Sequence, residues 1–219
     1  MKRFLEKLVL AVVCGASMGT VVLLGLRGAT TTASAEGNTP AVLRAQRFEL
    51  VNDKGRVIGR FTPDAKGEPQ LNLYDASGQQ RGAFGTIKGE PCLLLFDAAG
   101  ETRGALGTVN GEPRLYLYDA SAKRRAVFGT FNAEPQLTLY DANAQRRGVF
   151  GTVHGEPQLT FFDATANRRG TFGTQRGEPL IELRDASEKQ RGAFGTANGE
   201  PALNLFDAEQ KLIWSAPSN

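Results

Sequence analysis

The sequence predicts an all-β repeat protein, because one unit of 22 residues recurs without insertion along most of the chain. The Glu-Pro pair keeps this step from Pro69 to Pro201, and the Asp-Ala pair keeps it from Asp75 to Asp207. Within a unit, polar and apolar residues alternate, as over residues 70–74, which is the period of a β-strand. In arrays of this kind, each unit packs on its neighbours.

The first 35 residues differ from the rest. Residues 1–7 are basic, and residues 8–26 form an uncharged run of 19 residues. A helix of this length matches a bilayer core of about 30 Å, which predicts one N-terminal hydrophobic helix. The tripeptide Ala33-Ser34-Ala35 also fits a secretory cleavage site. Segment 1–35 is therefore a signal peptide, or a signal-anchor helix with the start of a linker that continues over 36–46. Both alternatives place the repeats outside the cytoplasmic membrane, in the periplasm or at the cell surface, because the basic residues favour a cytoplasmic N-terminus.

The rest of the chain divides by its match to the unit. A divergent hairpin over 47–66 is expected to cap the array, six full repeats occupy 67–198, and a seventh, C-terminal capping repeat occupies 199–219. Each unit holds two strands. A turn of four residues after Asp75 joins them, and Asn110-Gly111 or its equivalent leads to the next unit, because Asn-Gly favours a two-residue hairpin turn.

These two turns predict the same register. Leu71, Leu73 and Phe84 fall on one face, which we expect to point inward, and Tyr74 and Arg81 fall opposite each other on the other face. The agreement favours an antiparallel meander of hairpins. The alternative is a two-sheet parallel β-solenoid, which would stack like charges about 4.8 Å apart. Because a flat meander would leave its apolar side in water, we expect the sheet to curl on its apolar face, to form a sandwich or to pair with another copy.

The charge distribution and the rare residues give no sign of catalysis. The net charge of +3 arises in residues 1–35, so no basic patch indicates nucleic-acid binding. His154 lies in a turn, and Cys92 and Cys14 have no clustered partners in the sequence. The recurring Asp and Glu lack the ligand spacing of a calcium loop. We therefore predict a protein that is not an enzyme, has no metal and needs no cofactor.

The polar face holds the candidate binding residues. Each repeat places an aromatic residue at the end of its first strand and an arginine near the start of its second, and such pairs stack. The predicted partner-binding residues are Tyr74, Arg81, Phe96, Arg103, Tyr118, Arg125, Tyr140, Arg147, Phe162 and Arg169. Arg184 interrupts the aromatic row. Cross-strand pairs that only stiffen the sheet are the alternative interpretation.

Three resemblances rest on particular residues. The opening segment 48–55, the Leu-Tyr-Asp-Ala units and the closing segment 211–217 resemble a group of uncharacterised bacterial envelope proteins with an N-terminal membrane segment and tandem β-hairpins. The run Tyr74-Asp75-Ala76-Ser77-Gly78 is similar to the hairpins of secreted YD-repeat shells, and the period is similar to that of MORN repeats. These resemblances imply hairpins and a location outside the cytoplasmic membrane, and they carry no activity.

The predicted function follows from export, repetition and the lack of catalytic groups. The chain is expected to be a structural or interaction scaffold of the envelope, or a secreted one, that presents a repetitive β surface to a protein or polysaccharide partner. We also expect that the chain can associate with itself. If residues 8–26 are not cleaved, we expect them to attach the chain to the membrane. The alternative is a carbohydrate-binding module that uses the aromatic and arginine face.

Overall fold

The computed structural model describes residues 42 and 44–217, together with the backbone of Val22, Leu23, Thr30 and Thr31. Apart from Val22 and Leu23, the predicted hydrophobic helix over 8–26 lies outside the described residues. Residues 46–219 form one compact unit and residues 1–45 another. Within the described part of the chain, no helix is long and apolar enough to cross a membrane.

The described residues contain β-strands and no helix. Val22–Leu23 (β1) and Thr30–Thr31 (β2) pair with each other. The other strands are β3 Phe48–Val51, β4 Val57–Pro63, β5 Pro69–Tyr74, β6 Gln80–Ile87, β7 Glu90–Phe96, β8 Thr102–Val109, β9 Glu112–Tyr118, β10 Arg124–Phe131, β11 Glu134–Tyr140, β12 Arg146–Val153, β13 Glu156–Phe162, β14 Arg168–Gln175, β15 Glu178–Arg184, β16 Gln190–Ala197, β17 Glu200–Phe206 and β18 Leu212–Ala216.

Strands β3 to β18 form one antiparallel sheet of 16 strands in chain order. Each strand pairs only with strands adjacent to it in sequence, so the predicted meander is confirmed and the parallel solenoid is wrong. Strands β3 and β18 each have one neighbour, and the sheet is therefore not closed into a barrel. The same Asp recurs every second strand, about 9.6 Å apart, which avoids the like-charge columns of a solenoid.

The two-residue turns have the predicted form. Asn110 and Gly111 have φ of 54° and 78°, the left-handed pair that a type I′ turn requires. This turn places Thr108 opposite Pro113 and Leu106 opposite Leu115, as the sequence predicts.

The longer turns contain a difference from the prediction. The Gly78 N–H donates to the Asp75 carbonyl, and the Asp75 N–H donates to the Gln79 carbonyl. A β-bulge follows, so that Tyr74 lies opposite Gln80 and not opposite Arg81, while Leu73 still faces Gly82. The predicted pairing of Tyr74 with Arg81 is wrong by one residue, because a bulge adds one unpaired residue to a strand. The same irregularity recurs in β7–β8, β9–β10, β11–β12, β13–β14 and β15–β16.

The predicted division of residues between the two faces is confirmed, but the inward direction is wrong. Leu73 is 50% exposed and Phe84 is 57% exposed, so the apolar face is open in the described sheet. The expectation that the sheet curls on its apolar face therefore also fails. The most buried side chains lie on the opposite face, where Val127 is 1% exposed between its neighbours Tyr116 and Thr138.

Candidate interaction surfaces

The polar face is the surface that the sequence singles out. We define it by strand alternation as the side that carries Tyr74, Asn72 and their equivalents in the other repeats. The predicted aromatic residues lie in one row along it, each at the end of a strand and half-buried. The predicted arginines follow the next turn, within the bulges. The structure thus brings all ten candidate residues to one side of the sheet.

The arginines of this set contact carboxylates rather than the predicted rings. Arg81 Nε lies 2.7 Å from Asp75 Oδ2, and Arg147 Nη2 lies 2.5 Å from Asp141 Oδ2. The equivalent pairs are Arg103–Asp97, Arg125–Asp119, Arg169–Asp163 and Arg191–Asp185. Each arginine therefore pairs with the aspartate of its own hairpin, and Arg103 also donates to the Asp119 and Ala120 carbonyls of the next hairpin.

Other arginines stack on the aromatic row. The Arg124 guanidinium lies 4.5 Å from the centre of the Tyr140 ring, and that of Arg146 lies 4.0 Å from the Phe162 ring. These arginines occupy the position of Gln80. Each stacks on the ring at the end of the following strand and not on the ring that the register places opposite it, which for Arg124 is Tyr118. Cation–π contacts of this kind contribute about 0.5–1 kcal/mol at exposed sites. They also cover ring surface that a ligand would need.

The aspartates of the longer turns bind backbone N–H groups, as the sequence predicts. Asp141 Oδ1 accepts hydrogen bonds from the N–H groups of Asn143 and Gln145, at 2.8 and 2.9 Å. The Gln145 N–H is the strongest cause that holds the pKa of Asp141 below its usual value, and Arg147 adds to it. For Asp163, the Thr165 hydroxyl is the main cause that lowers the pKa to about 2.

These aspartates predict a stability that falls in acid. A carboxyl whose folded-state pKa lies below its unfolded value of about 3.9 stabilises the fold above that pH, and the contribution is lost as the pH drops towards the folded pKa. Asp141→Asn should keep the turn, because Asn52 already accepts the Lys54 and Arg56 N–H groups in the first hairpin. The variant loses the charge pair with Arg147. We expect a lower urea midpoint than wild type at pH 6 and a difference that shrinks between pH 4 and 2. A difference that is constant with pH would contradict this assignment.

The glutamate of each Glu-Pro pair connects neighbouring repeats. Glu134 Oε1 accepts from the Gly155 N–H at 2.9 Å, and Glu134 Oε2 accepts from the Thr152 hydroxyl. Glu90 and Glu178 make the same two contacts one repeat on. The Thr152 hydroxyl is the main cause that lowers the pKa of Glu134. Among the described ion pairs, the only one at this position joins Glu112 to Arg114 of its own strand. The fixed spacing of Glu, Thr and Gly in the repeat is the sequence signal that could have predicted these contacts.

Two shallow grooves lie on the polar face beside the two-residue turns. One of about 550 Å³ is lined by Cys92, Tyr116, Tyr118 and neighbours, and the two tyrosine rings stack with centres 6.4 Å apart. The other, of about 450 Å³, is lined by residues that include His154 and Glu134. Desolvation raises the pKa of the Cys92 thiol, which is the opposite of what a reactive thiolate needs. Among the described residues, no three His, Cys, Asp or Glu side chains come together as metal ligands.

The opposite side of the sheet, which we call the apolar face, is the larger surface. By strand alternation, each repeat contributes to it the equivalents of Pro69, Leu71, Leu73, Gly82 and Phe84, with a threonine at the border. From Phe48 to Leu205, none of the positions on this side is charged, although 22% of the chain is Asp, Glu, Lys or Arg. Within residues 46–217 no segment lies over it, and most of its large side chains are exposed, while Leu115, Leu137, Leu159 and Leu203 are half-buried.

Comparison with known proteins does not assign the chain to a family. No protein-family model matches the chain, and no curated protein matches it. The resemblances to envelope proteins, YD-repeat shells and MORN repeats stay predictions.

Proposed function

We propose that this chain is a non-enzymatic interaction scaffold that functions outside the cytoplasmic membrane and binds a protein partner through its apolar face. The observation that carries the proposal is the uninterrupted, uncharged and exposed character of this face. Soluble monomers rarely expose a continuous apolar patch of more than a few hundred Å². With 16 strands about 4.8 Å apart, this face is about 72 Å long and about 10 Å wide, and its area of roughly 700–800 Å² exceeds that limit.

The repeat architecture supports a scaffold role rather than an active site. Glu134 and its equivalents bind the next hairpin, while Asp141 and its equivalents bind their own turn and arginine. The repeated charged groups are therefore engaged in holding hairpins together. The location outside the membrane rests on the sequence of residues 1–35, which carries the basic start and the long apolar run.

Geometry favours the apolar face over the aromatic and arginine face as the binding surface. On the polar face, the guanidinium groups of Arg124 and Arg146 lie over Tyr140 and Phe162, and the predicted arginines are paired with aspartates. A glycan that stacks on these rings would have to displace those contacts. The carbohydrate-binding alternative and the ten candidate residues on that face stay predictions.

Cysteine labelling tests two parts of the proposal: that the repeats lie outside the cytoplasmic membrane, and that a partner covers the apolar face. In a background of Cys14→Ala and Cys92→Ala, His154→Cys places a thiol in an exposed turn, and Phe150→Cys places one on the apolar face, where the native side chain is 59% exposed. A membrane-impermeant maleimide is added to spheroplasts that express the full chain. We expect rapid labelling at residue 154 and slow labelling at residue 150 that becomes rapid in urea.

Two results would overturn the proposal. Labelling of His154→Cys only after lysis would refute the location. Equal rates at residues 150 and 154 in spheroplasts would show that nothing covers the apolar face in the cell. Tyr140→Cys, on the polar face of the adjacent strand β11, is the control for local changes in the sheet.

A further inference from the structure

We infer that the partner on the apolar face is a second copy of this chain, which lies face to face with the first across a two-fold axis. The inference rests on the proposed function, since it names the partner that the exposed face binds. Three features of the sheet support it: the area of the face, its chemistry and the arrangement of its side chains.

The area matches what a stable dimer needs. The apolar band covers about 72 Å along the sheet and about 10 Å along each strand, which is roughly 700–800 Å² on each copy. Two copies would bury about 1,500 Å², close to the standard interface of about 1,600 Å². The 19 residues of the N-terminal apolar run would cover less than half of this length even as a helix at about 1.5 Å per residue.

The chemistry of the face fits an apolar partner of the same kind. Its central side chains are Leu, Ile, Phe and Gly or Ala, which donate and accept no hydrogen bonds. A polysaccharide would lose hydrogen bonds to water there without replacement, whereas an identical sheet would lose none. Two copies also share the same twist, which lets aligned sheets pack about 10 Å apart along their length.

The side chains form rows that complement each other. One row along the face alternates a bulky residue with a small one, as in Leu139, Gly148 and Phe161. The neighbouring row is continuously bulky, as in Leu137, Phe150 and Leu159. Each small residue of the first row shares its strand with a bulky residue of the second row, as Gly148 does with Phe150, and such pairs recur every second strand, about 9.6 Å apart.

A two-fold axis along the length of the sheet would bring these rows together. Rotation about that axis exchanges the two rows and keeps each strand in register with itself. Phe150 of one copy then lies over Gly148 of the second copy, and the same fit recurs at Phe84 with Gly82, Phe172 with Gly170, and Phe194 with Gly192. Such a contact is isologous and closes at two copies.

Photo-crosslinking tests this arrangement in cells that express the full chain. Two versions with different C-terminal tags are coexpressed, and p-benzoylphenylalanine replaces Phe150 in one set of samples and Tyr140 in a control set. Irradiation should give a product with both tags, at twice the mass of the chain, from the Phe150 probe and not from the Tyr140 probe. Proteolysis of this product should yield the peptide 148–168 linked to itself, which is the product of cleavage after Arg147 and Arg168.

Variants of Gly148 make the test independent of folding. A Cβ added to Gly148 meets only Leu139 Cδ1, at 4.0 Å, so the sheet itself has room for a side chain there. Gly148→Leu fills the hollow that receives Phe150 and should reduce the doubly tagged product several-fold. Gly148→Ala, which resembles the natural Ala126 at the same position, should leave most of it.

The outcomes separate the two proposals. Crosslinks from Phe150 to another protein or to lipid, without a doubly tagged product, would overturn self-pairing and leave the apolar face as a binding surface. The absence of any crosslink from Phe150 would overturn both. A doubly tagged product that forms equally from Tyr140, or that is insensitive to Gly148→Leu, would overturn the face-to-face arrangement.

Discussion

Gly151→Ala is expected to open the sheet locally between β11 and β12. A Cβ at this position would lie 2.3 Å from the Pro135 carbonyl oxygen and 2.9 Å from Gln136 Cα. Both are backbone atoms of the paired strand, so the strands must separate to accept the methyl group. Overpacking of this kind costs about 1–3 kcal/mol, and contacts with backbone lie at the upper end.

The same strand contains the control for this prediction. Gly148→Ala adds the same methyl group where the nearest atom, Leu139 Cδ1, is 4.0 Å away, and no positive φ restricts that residue. It should leave stability unchanged or raise it by about 0.4–1 kcal/mol, because the unfolded chain loses conformational freedom. The free energy of local opening of β11 and β12 can be measured by amide hydrogen exchange, which suits an array whose repeats open in part. Equal protection in the two variants would contradict the proposed clash.

The contact of Gly151 explains why a glycine recurs at this position in all six full repeats. The equivalent glycines 85, 107, 129, 173 and 195 all approach a proline carbonyl of the preceding strand at 2.0–2.5 Å from an added Cβ. The Gly-Thr pair of the repeat is therefore set by close backbone approach to the Glu-Pro pair of the previous strand. This contact joins two sequence signatures that lie 16 residues apart.

Arg184→Phe is the second change with a large expected effect, because it leaves Glu182 without its closest partner. Arg184 Nη2 lies 2.6 Å from Glu182 Oε1, and the Glu182 side chain is 10% exposed. The remaining cation, Arg168, is 3.6 Å from Glu182 Oε2. Loss of a hydrogen bond to a charged group costs about 1.5–3 kcal/mol. We expect hydrogen exchange to accelerate in β14, β15 and β16.

The preceding repeat supplies the rescue for this variant. Thr160 and Phe162 occupy the positions of Glu182 and Arg184 one repeat earlier. The double variant Glu182→Thr with Arg184→Phe restores this pattern and should return the opening free energy to near the wild-type value. Additive losses in the double-mutant cycle would show that the two residues do not depend on each other. Arg184 interrupts the aromatic row because Glu182 lies beside it.

The period and the two turns were sufficient to predict most of the sheet. Alternation over residues 70–74 places Leu71 and Leu73 on one side. A two-residue turn at Asn110-Gly111 allows the flanking strands only one register. Both signals are local, since a strand repeats every two residues and a type I′ turn needs only two left-handed residues. The meander, its strand order and the two faces follow from them.

The bulge after the longer turn could not be read from the same signals. It places Gln80 opposite Tyr74 and leaves Arg81 paired with Asp75, while Arg124 and Arg146 stack on rings of the following strand. The single unpaired residue leaves the alternation in the rest of the strand unchanged. The pattern of apolar residues therefore does not reveal the bulge. The candidate residues thus lie on the polar face, as alternation predicts, but with different contacts, and their role in binding a partner stays a prediction.

By itself, the sequence determined the repeat, the antiparallel strand order, the turn chemistry and the separation of apolar from charged residues. These depend on the preferences of neighbouring residues, which the chain carries in each unit. Only the tertiary structure decided that the sheet stays open, that Phe84 and Phe150 are exposed and that Glu134 holds the next hairpin. Those outcomes depend on what lies across a strand or above a face, and no local pattern in a 22-residue unit specifies that.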